Sequence, residues 1–152
     1  MEIPILDQVK EVLGDMHYQE TSKQNSEEIT YQVPEFEDAK RVLIVEHQRN
    51  LVVIYSWNAQ FRVEDAKKND FLIFIAKANE VLSFGNIEMN IDTGVIRYKT
   101  SQAFPKFTNA RQVIQYMKEL HEKTFPKINE AAVQLNEGGT DPREMASILR
   151  AI

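Results

Sequence analysis

Between Ile5 and Met16 the apolar residues Ile5, Leu6, Val9, Val12, Leu13 and Met16 recur at spacings of three and four, which predicts an amphipathic first helix. Pro4 suits its first turn, where a missing N–H leaves nothing unpaired. The period then stops. Thr21-Ser22-Lys23-Gln24-Asn25-Ser26 has nothing to bury and reads as a linker or loose loop. Three stretches rich in β-branched and aromatic residues follow, at residues 28–33, 41–48 and 51–59, and predict an antiparallel meander. Arg49 and Asn50 stand where a tight turn joins the second to the third, and Asn tolerates the positive φ such turns need. Residues 42–45 and 51–55 are apolar without clean alternation, so both faces of this sheet should be at least partly covered.

The period changes again over residues 63–84. Glu64 and Asp65 lie in the first turn and Gly85 beyond the end, as the dipole and a C-terminal glycine cap require, so this is a second helix. Its middle, Phe71-Leu72-Ile73-Phe74-Ile75-Ala76, is apolar on every face, more than packing on a sheet demands. The surplus face needs a second cover, either the long helix of the same chain or the same surface of another subunit. Ile87-Glu88-Met89-Asn90-Ile91 alternates, Asp92-Thr93-Gly94 supplies turn chemistry and Val95-Ile96-Arg97-Tyr98-Lys99 resumes, which is a hairpin. A long helical pattern then runs over residues 108–136 with one face marked by Val113, Ile114, Met117, Leu120, Phe125, Ile128, Ala132 and Leu135. Pro126 should kink it or break it in two. After Gly138-Gly139, Asp141-Pro142-Arg143-Glu144 reads as a cap and first turn, followed by Met145, Ile148, Leu149 and Ile152 on one side of a short helix. The expected fold is a single α+β domain over residues 1–139, with residues 140–152 forming an amphipathic tail helix.

Helix, three strands, helix, two strands and long helix, in that order, resemble the type III secretion chaperones and the YbjN-like family of bacterial sensory transduction regulators. The stretch that carries the likeness is Ala76-Lys77-Ala78-Asn79-Glu80-Val81-Leu82, then Phe84-Gly85-Asn86-Ile87-Glu88-Met89-Asn90-Ile91-Asp92, then Gly94-Val95-Ile96-Arg97-Tyr98-Lys99. The resemblance runs over residues 42–138 and implies a secretion-chaperone-like sandwich, often dimeric, that binds or regulates other proteins and has no catalytic residues to transfer. Pro126 and residues 141–152 depart from that pattern.

Charge and composition narrow the field. A net charge of −5 with scattered Lys and Arg argues against a nucleic-acid partner. With no cysteine there is no disulfide, thiol chemistry or Cys-based zinc site. Met1-Glu2-Ile3-Pro4 lacks the basic and apolar regions of a secretory signal, and no window approaches the ~18 apolar residues of a membrane span, so a cytoplasmic protein without a membrane partner is expected.

Asp92-Thr93-Gly94 matches the aspartic-protease tripeptide, but that mechanism needs two carboxylates sharing a proton, and here the three residues are turn formers. His17, His47 and His121 have no spacing that places two metal ligands on one face, although His47, beside Glu46, could approach another histidine in space. Glu27-Glu28 and Glu35-Phe36-Glu37-Asp38 form an acidic patch, either a solvated loop or an attractor for a basic segment. Trp57, Tyr55, Phe61 and Phe36 should fill the core; an outward Trp57 would instead anchor a bound peptide.

The expected function is a non-enzymatic protein-binding or regulatory module, a homodimer without cofactor, with Trp57, Phe71, Phe74, Met145, Ile148, Leu149 and Ile152 as binding residues. Two alternatives are a small-molecule sensor or carrier with an apolar pocket between sheet and helices, and an enzyme whose site assembles from His47, His121 and nearby carboxylates.

Overall fold

The computed structural model describes residues 3–33 and 35–151. It is an α+β fold in which one six-stranded antiparallel sheet carries all its helices on one side. In chain order the elements are α1 (Ile5–Leu13), β1 (Tyr18–Ser22), β2 (Ser26–Tyr31), β3 (Ala39–Glu46), β4 (Leu51–Asn58), α2 (Lys68–Val81), β5 (Asn86–Met89), β6 (Ile96–Ala103), α3 (Arg111–Glu137) and α4 (Pro142–Ser147). The strand order is β1-β2-β3-β4-β6-β5, so the predicted meander and hairpin join into one sheet through β4 and β6.

The stretch read as a linker is a hairpin. Thr21 and Ser22 end β1, which pairs with β2 from Tyr18↔Tyr31 to Ser22↔Glu27. Only Tyr18 on this strand is even half-buried, so its side chains carry no apolar period; backbone pairing with β2, the Glu20–Lys10 ion pair to α1 and the Ser22–Glu27 hydrogen bond hold it. The β3–β4 turn forms as expected, with Asn50 at φ 52° and its amide donating to the carbonyls of Phe104 and Pro105.

Strand parity sorts side chains between the two faces. Ile29 and Tyr31, Leu43 and Val45, Val52 and Ile54, and Ile96 and Tyr98 all point toward the helices and are buried. They form two apolar clusters. One lies under α1 and the first half of α3, and the other under α2, α4 and the second half of α3.

Two helix expectations are corrected. α2 ends at Val81, four residues short of Gly85, and Gly85 serves the turn into β5 instead. It has φ 73°, and a Cβ there would come within 2.7 Å of the Tyr98 ring. Of the kink or break expected at Pro126, the break is absent: α3 is one continuous helix of 27 residues. The proline costs one backbone bond to the fourth residue before it, a loss that burial of Phe125, Ile128, Ala131, Ala132 and Leu135 outweighs. Val113, predicted inward, is 42% exposed.

The surplus apolar face of α2 is covered mainly by α4 of the same chain. Asp141 caps α4, accepting from the Arg143 N–H at 2.9 Å, and Met145, Ala146 and Leu149 complete the α2 cluster. The tail therefore belongs to the domain's own core. Leu149→Ala is expected to lower the unfolding free energy by about 2–5 kcal/mol in a urea titration. Ile148→Ala, at a 46% exposed position of the same turn, should change it by no more than about 0.5 kcal/mol.

Candidate functional site

Two places are candidates: a buried polar seam between sheet and α3, and the sheet face that, among the described residues, no helix covers.

The seam starts with Arg41. It occupies an inward position of β3 between Ala39 and Leu43 and is fully buried. Its directly paired neighbour on β4 is Ser56, also inward and buried. Arg41 Nε donates to Ser56 Oγ at 2.7 Å, one terminal nitrogen to Glu35 Oε1 at 2.9 Å and the other to the His121 carbonyl at 3.3 Å. His121 comes from α3. Its Nδ1 lies 2.6 Å from Ser56 Oγ and its Nε2 2.8 Å from Thr100 Oγ1, so both ring nitrogens are used. The Tyr98 ring packs against the imidazole at a centroid distance of 4.7 Å.

This electrostatic setting keeps His121 neutral. Burial, then the Arg41 charge, hold its pKa well below the ordinary 6.5. Burial also raises the Tyr31 phenol far above its usual value, partly offset by Arg41, and pushes Tyr98 up to about 12. Among the described residues, the Tyr31 hydroxyl, Glu35 Oε2 and Thr124 Oγ1 are buried without a hydrogen-bond partner.

A serine oxygen within hydrogen-bond reach of an imidazole has the contact geometry of a nucleophile and its base. Here the same oxygen also receives a guanidinium N–H, and Ser56, His121 and Arg41 are all fully buried, so a substrate has no access to it. The arrangement welds α3 to β3, β4 and β6.

The helix-free face is built from the opposite parity of the same strands. Paired rows run Lys40, Trp57, Arg97 and Glu88; Thr30, Val42, Tyr55 and Lys99; and Glu28, Ile44, Val53 and Ser101. Its middle is apolar and aromatic, with Arg97 and Lys99 on the β6 side and Glu28 on the β2 side. Arg97 lies 4.4 Å over the Tyr55 ring and pairs with Glu88 at 2.8 Å. A groove of about 410 Å³ crosses this face, floored by Val42, Ile44, Tyr55 and Trp57 and walled by the β5–β6 turn at Asn90, Thr93 and Val95.

That wall is the Asp92-Thr93-Gly94 segment, confirmed as a turn. Asn90 Oδ1 accepts from the Asp92 and Thr93 N–H groups, and Gly94, at φ 75°, sits so close that a Cβ would come within 2.7 Å of the Val63 carbonyl.

The predicted binding residues separate. Trp57 faces outward and half-buried in the groove rather than filling the core. Phe71 and Phe74 are fully buried, 5.9 Å apart edge to face, and present no binding surface. Met145 and Leu149 are buried on α2, Ile148 is exposed, and Ile152 lies outside the described residues. His47 sits half-exposed in the β3–β4 turn, 3.7 Å from Glu27, while His121 is in the core with other partners. Within the acidic patch, Glu35 turns inward to Arg41 and Glu28 pairs with Lys23.

Sequence reasoning missed Arg41, Ser56 and Thr100, and placed Glu35 only in an acidic patch. The signal was parity: Arg41 shares the inward register of Leu43 and Val45, Ser56 that of Val52 and Ile54, and Thr100 that of Ile96 and Tyr98.

Among the described residues no helix is long and apolar enough to cross a membrane. Compared with sequence models of protein families, with curated proteins and with solved structures, the chain matches none.

Arg41→Met should cost about 3–5 kcal/mol of stability because it strands the Glu35 carboxylate, and adding Glu35→Leu should recover a large part of that loss in a denaturant double-mutant cycle. His121 binds a proton less readily folded than unfolded. Its contribution is therefore intact above pH ~6.5 and is lost at about 1.4 kcal/mol per pH unit below it, until the folded pKa is reached. Urea titrations between pH 7.5 and 5 are expected to show this slope, and His121→Gln to remove it.

Proposed function

We propose that this chain is a non-enzymatic protein-binding or regulatory module of the secretion-chaperone-like, YbjN-like kind, that it works as a homodimer, and that it seats an extended segment of another protein on the helix-free face of its sheet. The observation that carries the reading is Trp57. A large aromatic side chain faces away from the core, beside Tyr55, Val42 and Ile44, in a groove that no element among the described residues covers.

Binding is physically sensible there. Six strands about 4.8 Å apart, with central strands of eight residues, outline at most roughly 600 Å², of the order of one partner's share of a standard interface. The central strands are already paired on both edges, so recognition falls to side chains. Apolar groups would seat on Tyr55 and Trp57, acidic groups toward Arg97 and Lys99, and basic groups toward Glu28. A non-enzymatic role accords with the closed Ser56–His121 seam. The homodimer accords with Leu72 and Ile73, which stay 48% and 42% exposed on α2 after α4 has docked.

Trp57 is the only tryptophan, so its emission reports the face directly. Titration with a library of extended apolar peptides bearing acidic and basic ends is expected to shift that emission saturably. Tyr55→Ala should weaken the strongest binder by about tenfold or more. A saturable response only to small apolar molecules would replace the protein partner with a carrier function, and no response to either would end the reading. Light scattering tests the dimer, which an unambiguous monomer would remove.

A further inference from the structure

A second groove, on the helix side of the molecule, has a different character. Tyr116, Leu120, Lys123 and Lys127 follow one another along α3 at spacings of four, three and four, and so form one stripe. Ser83 and Phe84, in the loop between α2 and β5, form the opposite wall, and the groove between them holds about 430 Å³. Phe84 is 53% exposed and Tyr116 45%, and the two rings meet edge to face at 5.6 Å.

The exposure of Phe84 does not come from a loose loop. The Tyr98 hydroxyl donates to the Phe84 carbonyl at 2.9 Å, and Gly85 is held against the Tyr98 ring so closely that no side chain fits there. The backbone is clamped while the phenyl ring is presented to solvent. An ordered aromatic anchor of this kind loses little conformational entropy when it is buried by a partner.

The charges fix what that partner is. Lys123 and Lys127 are exposed, lie one helical turn apart on the same stripe, and among the described residues neither makes an ion pair, as is also true of Lys40, Lys67 and Lys106 elsewhere. Glu119 is the one acid lining the groove, at its Tyr116 end, and its carboxylate already accepts from Gln115 at 3.0 Å. On a chain of net charge −5 the two lysines form a local basic end to an apolar slot. We propose that this groove docks a short acidic segment of a protein partner, an apolar side chain entering between Phe84, Tyr116 and Leu120 and carboxylates reaching Lys123 and Lys127.

The site is independent of the sheet face, since α3 packs on the sheet's other side. The test is fluorescence anisotropy on the full chain with a labelled synthetic peptide of alternating leucine and glutamate. Parallel runs use its glutamine and lysine counterparts, with co-sedimentation on phosphatidylserine vesicles alongside. The glutamate peptide is expected to bind, to weaken with added salt, and to lose about tenfold in affinity in both Phe84→Ala and the doubly reversed Lys123→Glu, Lys127→Glu chain, the latter gaining the lysine peptide. Trp57 emission should stay unchanged throughout, which separates this outcome from occupancy of the sheet face. Equal binding of all three peptides, indifference to charge reversal, binding to none of them, or binding only to the vesicles would each overturn the proposal. All three substituted positions are exposed, and circular dichroism verifies that the variants fold.

Discussion

A guanidinium buried with no access to water is the constraint around which this molecule is arranged. Arg41 cannot shed its charge, so its donors must be met inside the protein. They are met by three residues, Glu35 before β3, Ser56 on β4 and the backbone carbonyl of His121 on α3, and the His121 ring extends the chain of bonds from Ser56 to Thr100 on β6. The partners leave little freedom. A shift of β4 by one residue would turn Ser56 outward, and a rotation of α3 would withdraw His121. The seam also falls between the two apolar clusters, which hydrophobic burial alone would allow to slide past one another. Nonpolar contact supplies most of the stabilising energy, and the polar contact specifies register.

With the helix side closed, the two faces of the sheet take different roles. The inward face is committed to packing. The outward face carries Val42, Ile44, Tyr55 and Trp57 over strands whose backbone is already satisfied, so the recognition proposed there would rest on side chains. Val53, on that outward face, is still only 8% exposed. The lack of alternation in residues 42–45 and 51–55 accords with outward positions that are half-buried or buried at Val42, Ile44, Val53 and Tyr55.

Elements with a strong period were legible in the sequence. α1, β3, β4, the β5–β6 hairpin, α3 and the capped tail helix stand close to where spacing, turn residues and caps place them. β1 was not, because an edge strand of Tyr-Gln-Glu-Thr-Ser buries almost nothing and leaves no hydrophobic signature. The seam was hidden for another reason: each member looks ordinary alone, a strand arginine, a serine, a threonine and a helical histidine. Only strand register places Arg41 opposite Ser56, and only tertiary packing brings His121 over both. Phe71 and Phe74 show the reverse error: the surplus apolar face was assigned to the long helix or another subunit and these two residues to binding, whereas both are buried and α4 of the same chain is the main cover.

The cover that α4 provides for α2 also has a kinetic side. Phe71 and Phe74 leave the ribosome some seventy residues before Met145 and Leu149, with β5, β6 and all of α3 in between. During that interval two large aromatic side chains have no native roof, and the cluster they belong to cannot close by local contacts alone. Folding of this half is therefore governed by long-range closure, which is slow relative to helix formation and leaves apolar surface exposed while it is pending. The half under α1 depends less on late arrivals, since α1 and β2–β4 are all made before residue 59, although Ile114 and Met117 must still come from α3. The last members of the two halves thus lie some thirty residues apart in the chain, Met117 for one and Leu149 for the other, although the halves share one sheet.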